Sequence, residues 1–66
     1  MPRGVVVDFD EAKGYGSVED SSTGIRYFFH CTQIADGTRS IPPGVDVEFD
    51  VGAGRQGRWE AMGLRQ

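Results

Sequence analysis

Between Val45 and Val51 the chain alternates without a break, with Val45, Val47, Phe49 and Val51 apolar and Asp46, Glu48 and Asp50 acidic. A period of two sends successive side chains to opposite faces of an extended strand, so this segment lays one face on a core and turns the other to water. A strand of that kind needs partners along both edges. Period-two alternation supplies four more candidates, at residues 3–9, 15–19, 25–30 and 59–64, with 45–51 as the fourth of five. The acids on its outer face read as a solvated surface and receive no chemical role.

The breaks between these segments are those of a β protein. Lys13-Gly14 and Ser21 to Gly24 read as turns, Pro42-Pro43-Gly44 as the entry to the fourth strand, and 52–57 as a flexible loop. Residues 32–41, which include Asp36-Gly37, form a longer connection with room for one helical turn. The chain has 66 residues, enough for one domain spanning 1–66, and a domain of that size buries only about 60% of the surface of its unfolded chain. Five short strands with a long connection after the third predict an all-β fold, a small closed antiparallel barrel that leaves no exposed edge.

Cys31 is the only cysteine, so no disulfide forms within the chain. A lone thiol without a visible secretory segment predicts a cytoplasmic protein. The apolar run Val5 to Val7 falls far short of the roughly 20 residues of a membrane helix, so no membrane partner is expected. Seven basic residues against ten acidic ones give a net charge of −3. That sign excludes a protein that grips phosphates with its whole surface. Nucleic-acid binding would have to be local, through stacking and a few placed cations.

Two segments offer such a place. Around strand three, Arg26, Phe28 and His30 share one face, while Ile25, Tyr27 and Phe29 share the other. With Tyr27 and Phe29 inward, a phenyl ring, an imidazole and a guanidinium line up outward at two-residue spacing, which suits stacked bases and an adjacent phosphate. The competing structural reading has Phe28 capping a core edge and His30 held by a hydrogen bond. In Lys13-Gly14-Tyr15-Gly16 an aromatic sits between two glycines just after a lysine. Glycine weakens a strand, which suits close backbone approach to a ligand, a sharply coiled barrel strand, or a plain turn leading into a glycine-rich one.

At these residues the chain resembles the cold-shock domain family. The family's first nucleic-acid motif, K-G-F-G-F-I, stands here as Lys13-Gly14-Tyr15-Gly16-Ser17-Val18, and the second, V-F-V-H-F, as Tyr27-Phe28-Phe29-His30-Cys31. Gly4-Val5-Val6 through Phe9, Asp36-Gly37 with Arg39-Ser40, Gly44 and Val47 to Val51 are similar to the family at matching spacing, so the likeness spans nearly the whole chain. It implies a five-stranded barrel of the oligonucleotide-binding class (OB-fold) that binds single-stranded RNA or DNA, with Lys13, Tyr15, Phe28 and His30 at matching binding positions. Four positions where the family carries rings hold Asp8, Ser17, Cys31 and Thr38 instead. At roughly 1 to 3 kcal/mol per stacked base, their loss removes on the order of 4 kcal/mol, about a thousandfold in affinity. Arg26, where the family often has an acid, is expected either to pair with Asp8 or to replace lost stacking by cation attraction.

Neither catalysis, a cofactor nor a metal is expected. His30 and Cys31 are consecutive, and consecutive strand residues face apart, so they are not expected to form a base and nucleophile. One His and one Cys are too few for zinc. Cys31 reads as a small packing residue. Trp59, the only tryptophan, begins strand five, where Ala61 with Gly63 and Met62 with Leu64 make rival inward sets. It is expected either to cover the barrel end or, if exposed, to meet a protein partner or a second copy of the chain. Two functions follow: a single-stranded nucleic-acid binder of low sequence preference, such as an RNA chaperone, or a barrel that has lost that face and now binds proteins.

Overall fold

A computed structural model describes residues 2–35, 37, 40–54 and 58–66. It contains five strands, β1 (Arg3–Asp10), β2 (Tyr15–Asp20), β3 (Arg26–His30), β4 (Asp46–Ala53) and β5 (Trp59–Arg65), with a 3-10 turn at Cys31–Gln33. They close into a barrel in the order β1-β2-β3-β5-β4. The pairs β1–β2, β2–β3, β4–β5 and β1–β4 are antiparallel, and the barrel closes through one parallel contact at Phe28 and Glu60, between β3 and β5.

The alternation of β4 is realised as written: Val47 and Phe49 are buried while Asp46 and Asp50 are exposed. The core gathers Val6, Val18, Phe29, Ile34, Ile41, Val47, Phe49, Ala61 and Leu64. Phe9 stacks on Phe29 with centroids 5.8 Å apart and planes 8° from parallel, and Tyr27 meets Phe49 at 5.9 Å in a tilted pair. Ile34 and Ile41 come from the long connection after β3, which is tied to β5 by the bond from Ala35 N–H to Leu64 C=O. That connection is therefore a wall of the core. The helical turn expected within 32–41 is present but begins one residue earlier, at Cys31.

Two bulges set which side chains face outward. Between Val6 and Asp8 two steps of β1 oppose one step of β2, from Val18 to Ser17. The inserted residue lets both Val6 and Phe9 turn inward although their spacing is odd, and it turns Asp8 out. On β5, Met62 to Arg65 opposes Asp50 to Glu48, and Gly63 sits at φ 60° within the insertion. A left-handed glycine at that place is the usual device of such a bulge. It makes Ala61 and Leu64 both inward, so neither of the two rival sets for strand five is the core set.

Other expectations need correction. Ile25 precedes β3 and is 51% exposed, so it is not part of the inward face with Tyr27 and Phe29. Gly52 and Ala53 belong to β4, paired with Glu60 and Trp59, because β4 runs past the alternating segment. Of the loop expected there, residues 55–57 lie outside the described residues, as do Asp36, Thr38 and Arg39 of the long connection.

Candidate nucleic-acid interface

The outer surface of β1, β2 and β3 carries the side chains singled out from sequence. Cross-strand pairing places Tyr15 opposite His30, Ser17 opposite Phe28, and Glu19 opposite Arg26. One row of the face therefore reads Asp10, Tyr15, His30 and the next reads Asp8, Ser17, Phe28. Phe28 is 52% exposed and Tyr15 43% exposed, whereas Phe29 is 1% exposed in the core. Leaving two rings half in water while their neighbours close the core is a cost that stability alone does not explain.

Lys13 sits in the turn before Tyr15. Asp10 Oδ1 accepts from the backbone N–H of Ala12 and Lys13, at 3.0 and 3.2 Å, and Gly14 closes the turn at φ 77°. The lysine side chain, exposed at the edge of the face, pairs with no acid among the described residues. The glycines of this motif serve the barrel. A Cβ at Gly16 would strike the Asp8 carbonyl, so Gly16 lets β1 lie against β2.

His30 is both placed and held. It caps the 3-10 turn, with its Nδ1 accepting from Thr32 N–H at 3.3 Å and lying 3.0 Å from Thr32 Oγ1. With Nδ1 accepting, the other ring nitrogen carries the hydrogen and can donate outward. The expectation that His30 and Cys31 face apart is corrected here, because the chain leaves the strand at Cys31 and its Sγ comes within 3.8 Å of His30 Nδ1. Among the described residues no third group orients them as a catalytic triad does: the same nitrogen is already occupied by Thr32.

Arg26 pairs with Glu19, Nε to Oε1 at 3.4 Å, and not with Asp8. Direct cross-strand register gives it that partner, while Asp8 lies in another row. Asp8 instead accepts from Ser17 Oγ at 2.9 Å. Two positions where the family carries rings are thus replaced together by one hydrogen-bonded polar pair.

A cleft of about 480 Å³ opens beside the rings, lined by Tyr15, Phe28, Phe29, His30, Thr32, Gln33 and Glu60. Gln33 and Glu60 were not singled out from sequence. Only the parallel contact between β3 and β5 brings Glu60 beside Phe28, and sequence spacing carries no signal for it. A cleft of the same size at another place is lined by Arg3, Gly4, Ser21, Asp46, Val47, Glu48 and Gln66. It holds no aromatic ring, and Arg3 and Glu48 pair with each other at its rim. Trp59 is 63% exposed and does not seal the barrel end. Among the described residues no group of His, Cys, Asp and Glu is placed to hold a metal, and no helix is long and apolar enough to cross a membrane.

Comparison with known proteins points to one family. The family model described as the 'Cold-shock' DNA-binding domain matches residues 2–66. The chain is 35% identical over 66 residues to the probable cold shock protein A of Mycolicibacterium smegmatis, covering 98% of this chain and 97% of that one. It is 38% identical over 58 residues to the cold shock-like protein CspA of Stigmatella aurantiaca, with 86% and 85% covered. To the cold shock-like protein CspD of Escherichia coli it is 38% identical over 58 residues, with 86% and 78% covered. With a closed five-stranded barrel, both motifs in register and a family match along nearly its whole length, the chain belongs to the cold-shock domain family.

Proposed function

We propose that this protein binds single-stranded RNA or DNA, with little sequence preference over most of its footprint, and keeps RNA unstructured by holding melted strands. The observation that carries the reading is the half-exposed Phe28 ring, in the row next to the Tyr15–His30 pair on a face of a cold-shock barrel. Every base has a π-face, so Phe28 and Tyr15 stack bases of any kind, while Lys13 and the outward ring nitrogen of His30 meet phosphate or base edges. Arg26 supports them from the next row, its charge shared with Glu19. The function is binding, not catalysis, and its place is the cytoplasm.

Binding is weak. Asp8, Ser17 and Cys31 supply no rings, and the loop position Thr38, which lies outside the described residues, adds none by its chemistry. A fluorescence anisotropy titration with a labelled pyrimidine-rich hexamer, repeated between low and moderate salt, tests this reading. Micromolar or weaker binding with a slope of roughly −1 to −3 in log K against log salt supports it, because few cations means few counterions released. Nanomolar binding or a much steeper slope contradicts it by revealing a basic surface.

A second reading, a barrel that has become a protein-interaction module, draws on the exposed Trp59 and on the Asp8–Ser17 pair that replaces rings. The same titration decides between them: absence of binding to any single strand favours this second reading, with Trp59 as the contact for a partner or another copy.

A further inference from the structure

Around the barrel, one continuous row of paired residues runs Asp8, Ser17, Phe28, Glu60. Phe28 is the ring in that row, and the residue beside it on β5 is an acid. Glu60 is half-buried and lines the cleft with Phe28 and Gln33. Its carboxylate lies over the α-carbon of Gly54, where any side chain would collide with it. Gln33 is fixed too, with its Oε1 accepting from Gly63 N–H at 3.2 Å, so what it offers the cleft is its amide donor.

A base stacked on Phe28 turns its edge to the groups beside the ring, and unpaired bases are read on their Watson–Crick edges. A carboxylate only accepts hydrogen bonds, and accepts several at once. Thymine and uracil set their single N–H between two carbonyl oxygens, which a carboxylate repels. Cytosine and adenine offer one amino group next to an acceptor nitrogen. Guanine offers two adjacent donors, N1–H and the N2 amino group, in the spacing of a bidentate carboxylate contact, and its O6 suits the Gln33 amide.

We propose that Glu60 is the specificity-determining residue of this face, selecting guanine at the position stacked on Phe28. The inference rests on the reading of the face as a single-stranded nucleic-acid interface. The preference is confined to that one position, since among the described residues no acid outside this row lines the cleft.

Three probes test it by anisotropy: hexathymidylate, the same hexamer with one central guanosine, and the same with one central cytidine. The wild-type protein binds the guanosine hexamer about 5- to 10-fold more tightly than hexathymidylate, the low end of a bidentate side chain to base contact at a partly exposed site. Cytidine falls between. Glu60→Gln, with circular dichroism confirming its fold, lowers the guanosine preference below about 2-fold, because one acceptor oxygen becomes a donor. Equal wild-type binding of all three hexamers, or a preference that survives Glu60→Gln, overturns the inference while leaving the nucleic-acid reading intact. Failure of every hexamer to bind overturns both.

Discussion

Ser17 on β2 donates its hydroxyl to the Asp8 carboxylate on β1, Oγ to Oδ1 at 2.9 Å, directly across the antiparallel pair. The bulge between Val6 and Asp8 turns the carboxylate outward to meet that hydroxyl. Ser17 is 7% exposed, so its hydroxyl needs a partner, and Asp8 provides it. The pair closes the surface where the family exposes rings and sets a negative charge about two strand spacings, roughly 10 Å, from Phe28.

Replacing Asp8 is therefore the sharpest gain-of-function change. Asp8→Trp adds a ring diagonal to Tyr15 and removes a charge that repels phosphate. Oligonucleotide affinity rises by roughly 1 to 3 kcal/mol from stacking, plus a smaller, salt-screened electrostatic gain. The fold loses about 1 kcal/mol with the Ser17 hydrogen bond. A titration of the folded variant showing no gain in affinity would remove β1 from the binding face and favour the protein-partner reading.

Adjacent phenylalanines of β3 separate stability from function. Phe29→Ala opens a cavity against Phe9 and costs about 3 to 5 kcal/mol, a large share of the stability of so small a domain. Phe28→Ala costs much less, because its ring is already half in water. Urea denaturation of both variants checks the order. A Phe28 variant as unstable as the Phe29 variant would reverse the assignment of faces.

Period-two reading located β4, the inward Phe29 and the outward Phe28 because those stretches carry no insertion. It could not resolve β5, where Ala61 and Leu64 are both inward. The extra residue at Gly63 changes parity midway, and alternation has no sign for that. For a different reason Ile34 and Ile41 were not legible as core: they lie in a connection without period and are buried only by tertiary packing, Ile34 beside Leu64 of β5. Motif likeness gave the positions of Tyr15, Phe28 and His30. Partners were beyond it, since Arg26 takes Glu19 and Asp8 takes Ser17 by cross-strand register, which depends on the bulges.

Gly63 makes that bulge testable. At φ 60° an alanine pays the left-handed penalty of about 1 to 2 kcal/mol, so Gly63→Ala destabilises the barrel by that amount. Asn, which tolerates the conformation through local hydrogen bonds, costs less. Equal stability of wild type and the Ala variant in thermal unfolding would contradict a left-handed bulge here.

Acid sensitivity traces in part to Asp20. Its Oδ1 accepts from the hydroxyl and backbone N–H of Ser22 and from Thr23 N–H, and these bonds hold its carboxyl below the usual value of 3.8. A lowered folded value means that the contribution is present in full above the unfolded value and is lost as pH falls through the lowered one. Glu48, held down by the Arg3 guanidinium from its usual 4.5, acts in the same sense. Unfolding free energy of the wild type therefore declines below about pH 4, and Asp20→Asn flattens that decline while lowering stability at neutral pH. An unchanged acid limb in the variant would show that the turn bonds of Asp20 do not couple to folding.

Everything proposed for the face carrying Tyr15, Phe28 and His30 turns on its binding single-stranded nucleic acid. Its most direct test is an amide chemical-shift titration of the ¹⁵N-labelled protein with an unlabelled pyrimidine-rich hexamer. Shifts are expected to concentrate at Lys13, Tyr15, Ser17, Phe28 and His30, in fast exchange as befits weak binding, and to disappear in Phe28→Ala. Shifts confined to the surroundings of Trp59, or none at saturating hexamer, would contradict it.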